Sequence, residues 1–313
     1  SIEVQQGILV QREPNIYYFS HLTLQEYLTA QYIVDNQLIE KSVNSYVTHK
    51  HWFEVFLLIS QLMKGKNGSD ELLLLMEKKA STYQRTSIGE QWLVPILQWS
   101  NKMTLHSKGC TESESAKRAV ASVILLLYAY AFNYKQTTPY AYKLSYESLK
   151  TTSFNGYAKT LAQFQSNSNA FANARIFSDN FLIVALNDLL EDIYQLENLE
   201  IFDEERVDFP FFIDKLKELK NEVKLSKKIA KNHEEISLDQ RKIDFTKKII
   251  DAWLKAFDIN PKIVIISASE LEEIDNNYFY INWLMFQCRD VALTYSKNVW
   301  NGIESRMLKV SED

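Results

Sequence analysis

Turn-forming residues are scarce in this chain. Only 7 glycines and 5 prolines punctuate its 313 residues, about a third of the ~12% share usual in globular proteins. Sandwiches, barrels and glycine-rich nucleotide folds need many tight turns and positive-φ positions. An all-β architecture is therefore excluded and a mainly α fold is expected. Hydrophobic residues make up 46% of the chain and aromatics 13%, which excludes global disorder. The length points to two domains, or one domain with extensions.

A net charge of −5 and a pI near 5.7 argue against a general polyanion binder, and so against a nucleic-acid partner. Two cysteines, Cys110 and Cys288, cannot build a disulfide framework and fit a reducing cytoplasm. No basic-then-apolar leader opens the chain. The longest apolar run, Val123 to Phe132, is too short to span a bilayer and reads as a buried core helix. No membrane association is expected, and the location is cytoplasmic. The first residue is Ser1, and strand-like sequence follows at once, as in a piece cut from a longer protein.

One β segment stands out. Ile8, Val10, Ile16 and Tyr18 alternate with polar residues across Glu13-Pro14-Asn15, which predicts a hairpin. Ser20 is the expected N-cap of a helix from about His21 to Asn36, with Leu24, Tyr27, Leu28, Gln31 and Tyr32 at helical spacing. A hairpin feeding a helix suggests the end of a winged-helix domain. Helix then follows helix. Trp52, Val55, Phe56, Ile59, Leu62 and Met63 form one stripe, and Leu72 to Met76 lie on another. Ser87-x-x-Glu90, Thr111-x-x-Glu114 and Ser269-x-x-Glu272 are the expected capping boxes. Pro95 should sit in a first turn or at a kink. Lys262 to Ile266 reads as a short extended piece. Phe202 to Asp208 is a charged connector, and Asp208 with Pro210 marks a helix start. The expected division is 1–36 (end of a winged helix), 37–200 (helical domain) and 201–313 (helical subdomain).

No chemistry of an enzyme is visible. The phosphate-cradling pattern G-x-x-x-x-G-K-[ST] is absent, so these residues hold no P-loop nucleotide site. His49 and His51 could chelate a metal, but no cysteine or acidic cluster completes a site, and they read as a loop pair. Cys110 and Cys288 read as structural thiols. Glu272–Glu273 and Asp203–Glu204–Glu205 read as solvated helix starts and connectors. The helix carrying Lys215, Lys217, Lys220, Lys224, Lys227, Lys228 and Lys231 also carries Glu218 and Glu222. It is a solvated, salt-bridged face or, more sharply, a surface for an anionic partner. Tyr278, Phe279, Tyr280, Trp283 and Phe286 read as core, or as part of a partner groove.

Gly7 to Val34 reads G-I-L-V-Q-R-E-P-N-I-Y-Y-F-S-H-L-T-L-Q-E-Y-L-T-A-Q-Y-I-V. It resembles the end of the winged-helix domain in NACHT-family signalling NTPases, with its F-S-H-L-T-F-Q-E-Y signature; here Leu24 stands where the family usually has Phe. His51 to Met63, H-W-F-E-V-F-L-L-I-S-Q-L-M, looks like the helix that follows in bacterial members. Asp251 to Pro261, Asn277 to Cys288 and Val299 to Leu308 resemble the C-terminal helical domain of cyanobacterial-type members. The resemblance spans most of the chain and is weakest between about 133 and 180.

The resemblance implies a multidomain switch: an effector, an NTPase core using ATP or ADP with Mg, a winged helix and a C-terminal sensor. These 313 residues would then hold no cofactor of their own. Their partners would be the NACHT core of the same protein and a phage-derived protein trigger, in antiphage defence. In the family the F-x-H histidine contacts the nucleotide phosphate in the closed state, and the motif places it at His21. An imidazole beside unpaired N–H groups at a helix N-terminus suits an anionic phosphate. The competing reading is a helical scaffold that supports oligomerisation without sensing.

Overall fold

A computed structural model of the chain describes residues 9–13, 16–65, 67–108, 113–132, 139–150, 179–198, 200–229 and 238–311. Strands β1 (Leu9–Glu13) and β2 (Ile16–Phe19) pair antiparallel, with Val10 opposite Tyr18 and a register shift between Gln11 and Glu13. The expected hairpin is present; its turn residues Pro14 and Asn15, and Ile8, lie outside the described residues. All other described elements are helical, as the shortage of turn formers requires.

The helices are α1 (Leu22–Asp35), α2 (Ile39–Tyr46), α3 (Phe53–Leu62), α4 (Asp70–Tyr83), α5 (Val94–Thr104), α6 (Glu114–Phe132), α7 (Pro139–Lys150) and α8 (Asp179–Asn198). They continue with α9 (Phe209–Ile229), α10 (Leu238–Ala256), α11 (Pro261–Val264), α12 (Ala268–Ile274), α13 (Tyr280–Val291) and α14 (Lys297–Arg306). Two π-helical turns, Gly89–Leu93 and Asp275–Phe279, lead directly into α5 and α13. Pro95 follows the first of them, inside a helical run continuous from Ser87, where the π-helical turn accommodates the N–H that proline lacks. The sequence pattern also predicts helices over about 155–165 and 170–177, which lie outside the described residues.

Two compact units form, and neither is one continuous stretch of chain. The first comprises residues 1–83 and 280–304, the second 84–279 and 305–313. In the first, α1 packs on α3, and α13 packs on both α3 and α4. Val55, Phe56, Ile59 and Met63 are buried as the stripe required, with Leu72, Leu73 and Met76 from α4. Ser60 Oγ lies 2.9 Å from Ser69 Oγ and 2.7 Å from the Cys288 carbonyl, which satisfies buried polar atoms where the three helices meet. Gly68 has φ +45, and a Cβ there would stand 1.8 Å from the Thr294 carbonyl oxygen, so only glycine fits this loop crossing.

In the second unit α6 packs against α5 and α7, and α9 against α8 and α10. Ala116, Ala119 to Ala121 and Val123 to Leu126 are all buried, together with Arg118 and Ser122, so the described side chains of α6 are enclosed nearly all round; those of 127–132, the rest of the apolar run, lie outside the described residues. Phe257 is fully buried among Phe202, Phe209, Phe212 and Trp253. Phe202 thus makes the charged connector part of the core, while Glu204, Glu205 and Arg206 face solvent. The buried Asp275 carboxylate accepts from the backbone N–H groups of Tyr140 (3.1 Å) and Ala141 (2.8 Å), a cap on α7 supplied from a distant turn.

Several caps differ from the sequence expectation. Ser20 does not cap α1; His21 occupies that position in extended conformation, and no side chain among the described residues caps the helix. Ser87 is already helical, and Thr86 caps instead, its Oγ1 accepting from the Gly89 N–H at 3.0 Å. Thr111 lies outside the described residues; the Ser113 carbonyl receives the Ala116 and Lys117 N–H groups at the start of α6. The capping box of α12 is Ser267 with Glu270, two residues before the Ser269–Glu272 pair. The earlier start places Ile266 and Leu271, both 1% exposed, at the staple positions of the cap. Lys262 to Ile266 is not extended: Asn260 caps a helical turn that starts at Pro261. Asp208 does cap α9, its Oδ1 accepting from the Phe211 N–H at 2.9 Å.

Candidate docking face

Residues 10–32 hold an unusual concentration of exposed apolar side chains. On the hairpin Val10 is 45% exposed, Ile16 44%, Tyr17 44%, Tyr18 48% and Phe19 38%. Consecutive residues of β2 are all exposed, so neither face of the ribbon is covered by the described residues. On α1 Leu22 is 67% exposed, Tyr27 40%, Leu28 39% and Tyr32 61%. The helical stripe of Tyr27, Leu28 and Tyr32 is real, yet it points outward. The buried face of α1 is Ala30 and Ile33. Isolated exposed leucines need no explanation, whereas an aromatic cluster of this kind marks an interaction surface.

His21 stands at the edge of this face, between β2 and α1. It is exposed, with φ −133° and ψ 134°, and its carbonyl accepts from the N–H groups of Leu24 (3.2 Å) and Gln25 (3.4 Å). The first turn of α1 holds no acidic residue and no side-chain cap. The positive end of the helix dipole and the imidazole are therefore both presented outward. This arrangement can meet an apolar protein surface and an anion at its rim.

The other sequence-derived candidates fall into structural roles. Cys288 is a free, fully buried thiol whose pKa is pushed up by desolvation, so it is chemically inert; Cys110 lies outside the described residues. His49 and His51 are exposed, with ring centroids 5.6 Å apart, and no group of three metal-ligating side chains occurs among the described residues. Lys215 pairs with Glu218, and Lys248 with Glu222 at 2.6 Å. Lys217 lies over the Tyr194 ring at 5.9 Å. This face of α9 is salt-bridged and solvated, as expected. The side chains of Lys227 and Lys228, and all of Lys231, lie outside the described residues. Glu272 and Glu273 are exposed. Tyr278 and Phe279 are buried in the second unit, and Tyr280 and Phe286 in the first. Trp283 stacks on Phe53 at 5.3 Å.

The exposed hairpin and α1 lie almost wholly in the part of the chain that matches a known family. Residues 1–33 match the winged helix-turn-helix domain C-terminal to NACHT, and residues 212–310 match NACHT C-terminal Helical domain 2. Both ends of the chain are thus similar to domains that lie C-terminal to NACHT. The second match runs from within α9 to past the end of α14, so Phe212, Trp253, Phe257 and the α12 cap fall in it, while Phe202 and Phe209 precede it. No curated protein and no solved structure matches the chain. No described helix is long and apolar enough to cross a membrane.

Proposed function

We propose that this chain is the non-catalytic regulatory and sensing region of a cytoplasmic NACHT NTPase switch that acts in antiphage defence. The hairpin and α1 pack on the NTPase core of the same protein and hold it closed around ADP. Binding of a phage-derived protein to the helical region favours the open form, a differential-affinity switch. The observation that carries this reading is the exposed apolar face from Val10 to Tyr32. The family match that includes this face is defined by its position next to NACHT.

His21 completes the closed state in this reading. It lies at an uncapped helix N-terminus, where backbone N–H groups and the imidazole favour a phosphate. The Mg and nucleotide would be held by the NTPase core, and this region alone would bind neither.

The test uses the full-length protein. Leu28→Asp and Tyr32→Asp should speed ADP release, because each places a charge on the docking face. Unchanged ADP release with both substitutions would sink the docking role. Exchanging residues 37–313 between two such proteins should exchange the phage that triggers each. If trigger specificity stays with the NTPase half, the region is a scaffold and not a sensor.

A further inference from the structure

The segment after α14 is held in an uncommon way. Its backbone is gripped by side chains of the second unit. Gln84 Nε2 donates to the Lys309 carbonyl at 2.9 Å, and Gln84 Oε1 accepts from the Ser311 N–H at 2.9 Å. One side-chain amide thus pairs with the acceptor of one residue and the donor of the residue two further on, as a neighbouring strand would. Ser311 Oγ adds a bond to the same Oε1 at 3.2 Å. Gln84 Nε2 also donates to Tyr278 Oη at 3.2 Å, while the Lys309 carbonyl and the Ser311 N–H fix the orientation of the amide. Arg118 completes the frame. Its Nε and Nη2 donate to the Met307 carbonyl at 3.2 and 3.0 Å, and Nη2 to the Ser305 carbonyl at 3.2 Å.

The frame is built rather than incidental. Gln84 is 5% exposed, Arg118 2% and Tyr278 2%. Buried polar groups of this kind are retained only where partners meet them. Desolvation lowers the pKa of Arg118, the acidic Glu114 opposing that shift. Its hydrogen bonds go to main-chain carbonyls. The segment itself is strained: Leu308 has φ +58 and is fully buried, a conformation that disfavours a bulky side chain. Strain of this sort concentrates at switching elements.

We infer that Gln84, Tyr278 and Arg118 form a peptide-binding site that reads main-chain groups, and that residues 307–311 are its displaceable resident. The site takes a segment that opens with two apolar residues, the second in left-handed conformation, as Met307 and Leu308 do. Main-chain recognition leaves the later positions open, and Lys309 is indeed exposed. An incoming partner segment would supply the same carbonyls to Arg118, so the buried cation need never be left bare.

The probe is a fluorescein-labelled synthetic peptide of residues 305–311, added to the full chain and read by anisotropy. Leu308→Ser in the chain weakens the resident segment and leaves the frame intact. The peptide should bind that variant at least tenfold more tightly than the unmodified chain. Adding Gln84→Ala should abolish binding, and so should N-methylation of the peptide amide that corresponds to Ser311. Binding that ignores Gln84, or none to a folded Leu308→Ser variant, overturns the inference. Hydrogen exchange on the unmodified chain decides if Leu308→Ser does not fold. The Ser311 amide should exchange by local opening, faster than the amides of Val120 to Ile124 in α6. Exchange as slow as that core would make the segment a fixed part of the fold and refute displacement.

Discussion

Truncating Phe257 should cost more than any other single aromatic deletion in the second unit. Its ring is fully buried. It makes edge-to-face contacts with Phe202 (5.6 Å, 82°), Phe209 (5.7 Å, 81°) and Phe212 (5.9 Å, 88°). A buried Phe→Ala change costs about 3–5 kcal/mol. Three near-perpendicular ring pairs place this site at the top of that range, since each contributes about 0.5–1.5 kcal/mol beyond area burial. The backbone role survives the change: the Phe257 carbonyl still accepts from Trp99 Nε1 at 2.9 Å. Phe257→Ala should therefore remove about 4–5 kcal/mol, a large part of the roughly 5–15 kcal/mol that holds a domain folded. Phe257→Leu refills part of the cavity and should cost about half as much. Urea unfolding followed by tryptophan fluorescence reads both, because Trp99 and Trp253 border the site. A loss below about 2 kcal/mol for the alanine variant, or equal losses for the two variants, would refute the hub.

Other outcomes follow from single contacts. Gly68→Ala should displace Thr294 and break the 3.0 Å bond from Ser69 N–H to its carbonyl, at a cost above about 2 kcal/mol. Gly65→Ala, at φ +109 with open space around it, should cost about 1 kcal/mol in a thermal melt. Ser267→Ala should cost about 1 kcal/mol and Ser269→Ala almost nothing, which equilibrium unfolding would distinguish. The Glu270 carboxyl is held below its usual pKa by hydrogen bonds from Ser267 and by the Trp92 indole. Its contribution is present at neutral pH and disappears as the pH falls through the ordinary carboxylate range towards its lowered value. Glu270→Gln should flatten that part of an acid-unfolding curve, and an unchanged curve would contradict the cap.

Sequence pattern carried the helical class, the hairpin and the cores of α3, α4 and α6, because burial and 3.6-residue spacing coincide there. It could not say what covers an apolar stripe. Tyr27, Leu28 and Tyr32 recur at helical spacing as a core face would, yet they stand exposed, since periodicity records a face and not its neighbour. Cap positions slipped where two candidate residues lie side by side. Ser267–Glu270 and Ser269–Glu272 both spell a capping box, and the burial of Ile266 and Leu271 selects the first. Phe202 sat in a charged stretch and was legible only as a connector. Two of the rings that bury it, Trp99 and Phe257, lie more than fifty positions away in opposite directions along the chain. Gln84 carried no signal at all: a lone glutamine beside a helix end shows nothing until Lys309 and Ser311 arrive against it.

Hydroxyl-radical footprinting of Tyr27 and Tyr32 tests the docking of this region most directly. It should be run on the ADP-bound full-length protein and on this chain alone. Docking predicts strong oxidation of both tyrosines in the isolated chain, where they are 40% and 61% exposed, and strong protection in the ADP-bound protein. Equal oxidation in the two samples would contradict it.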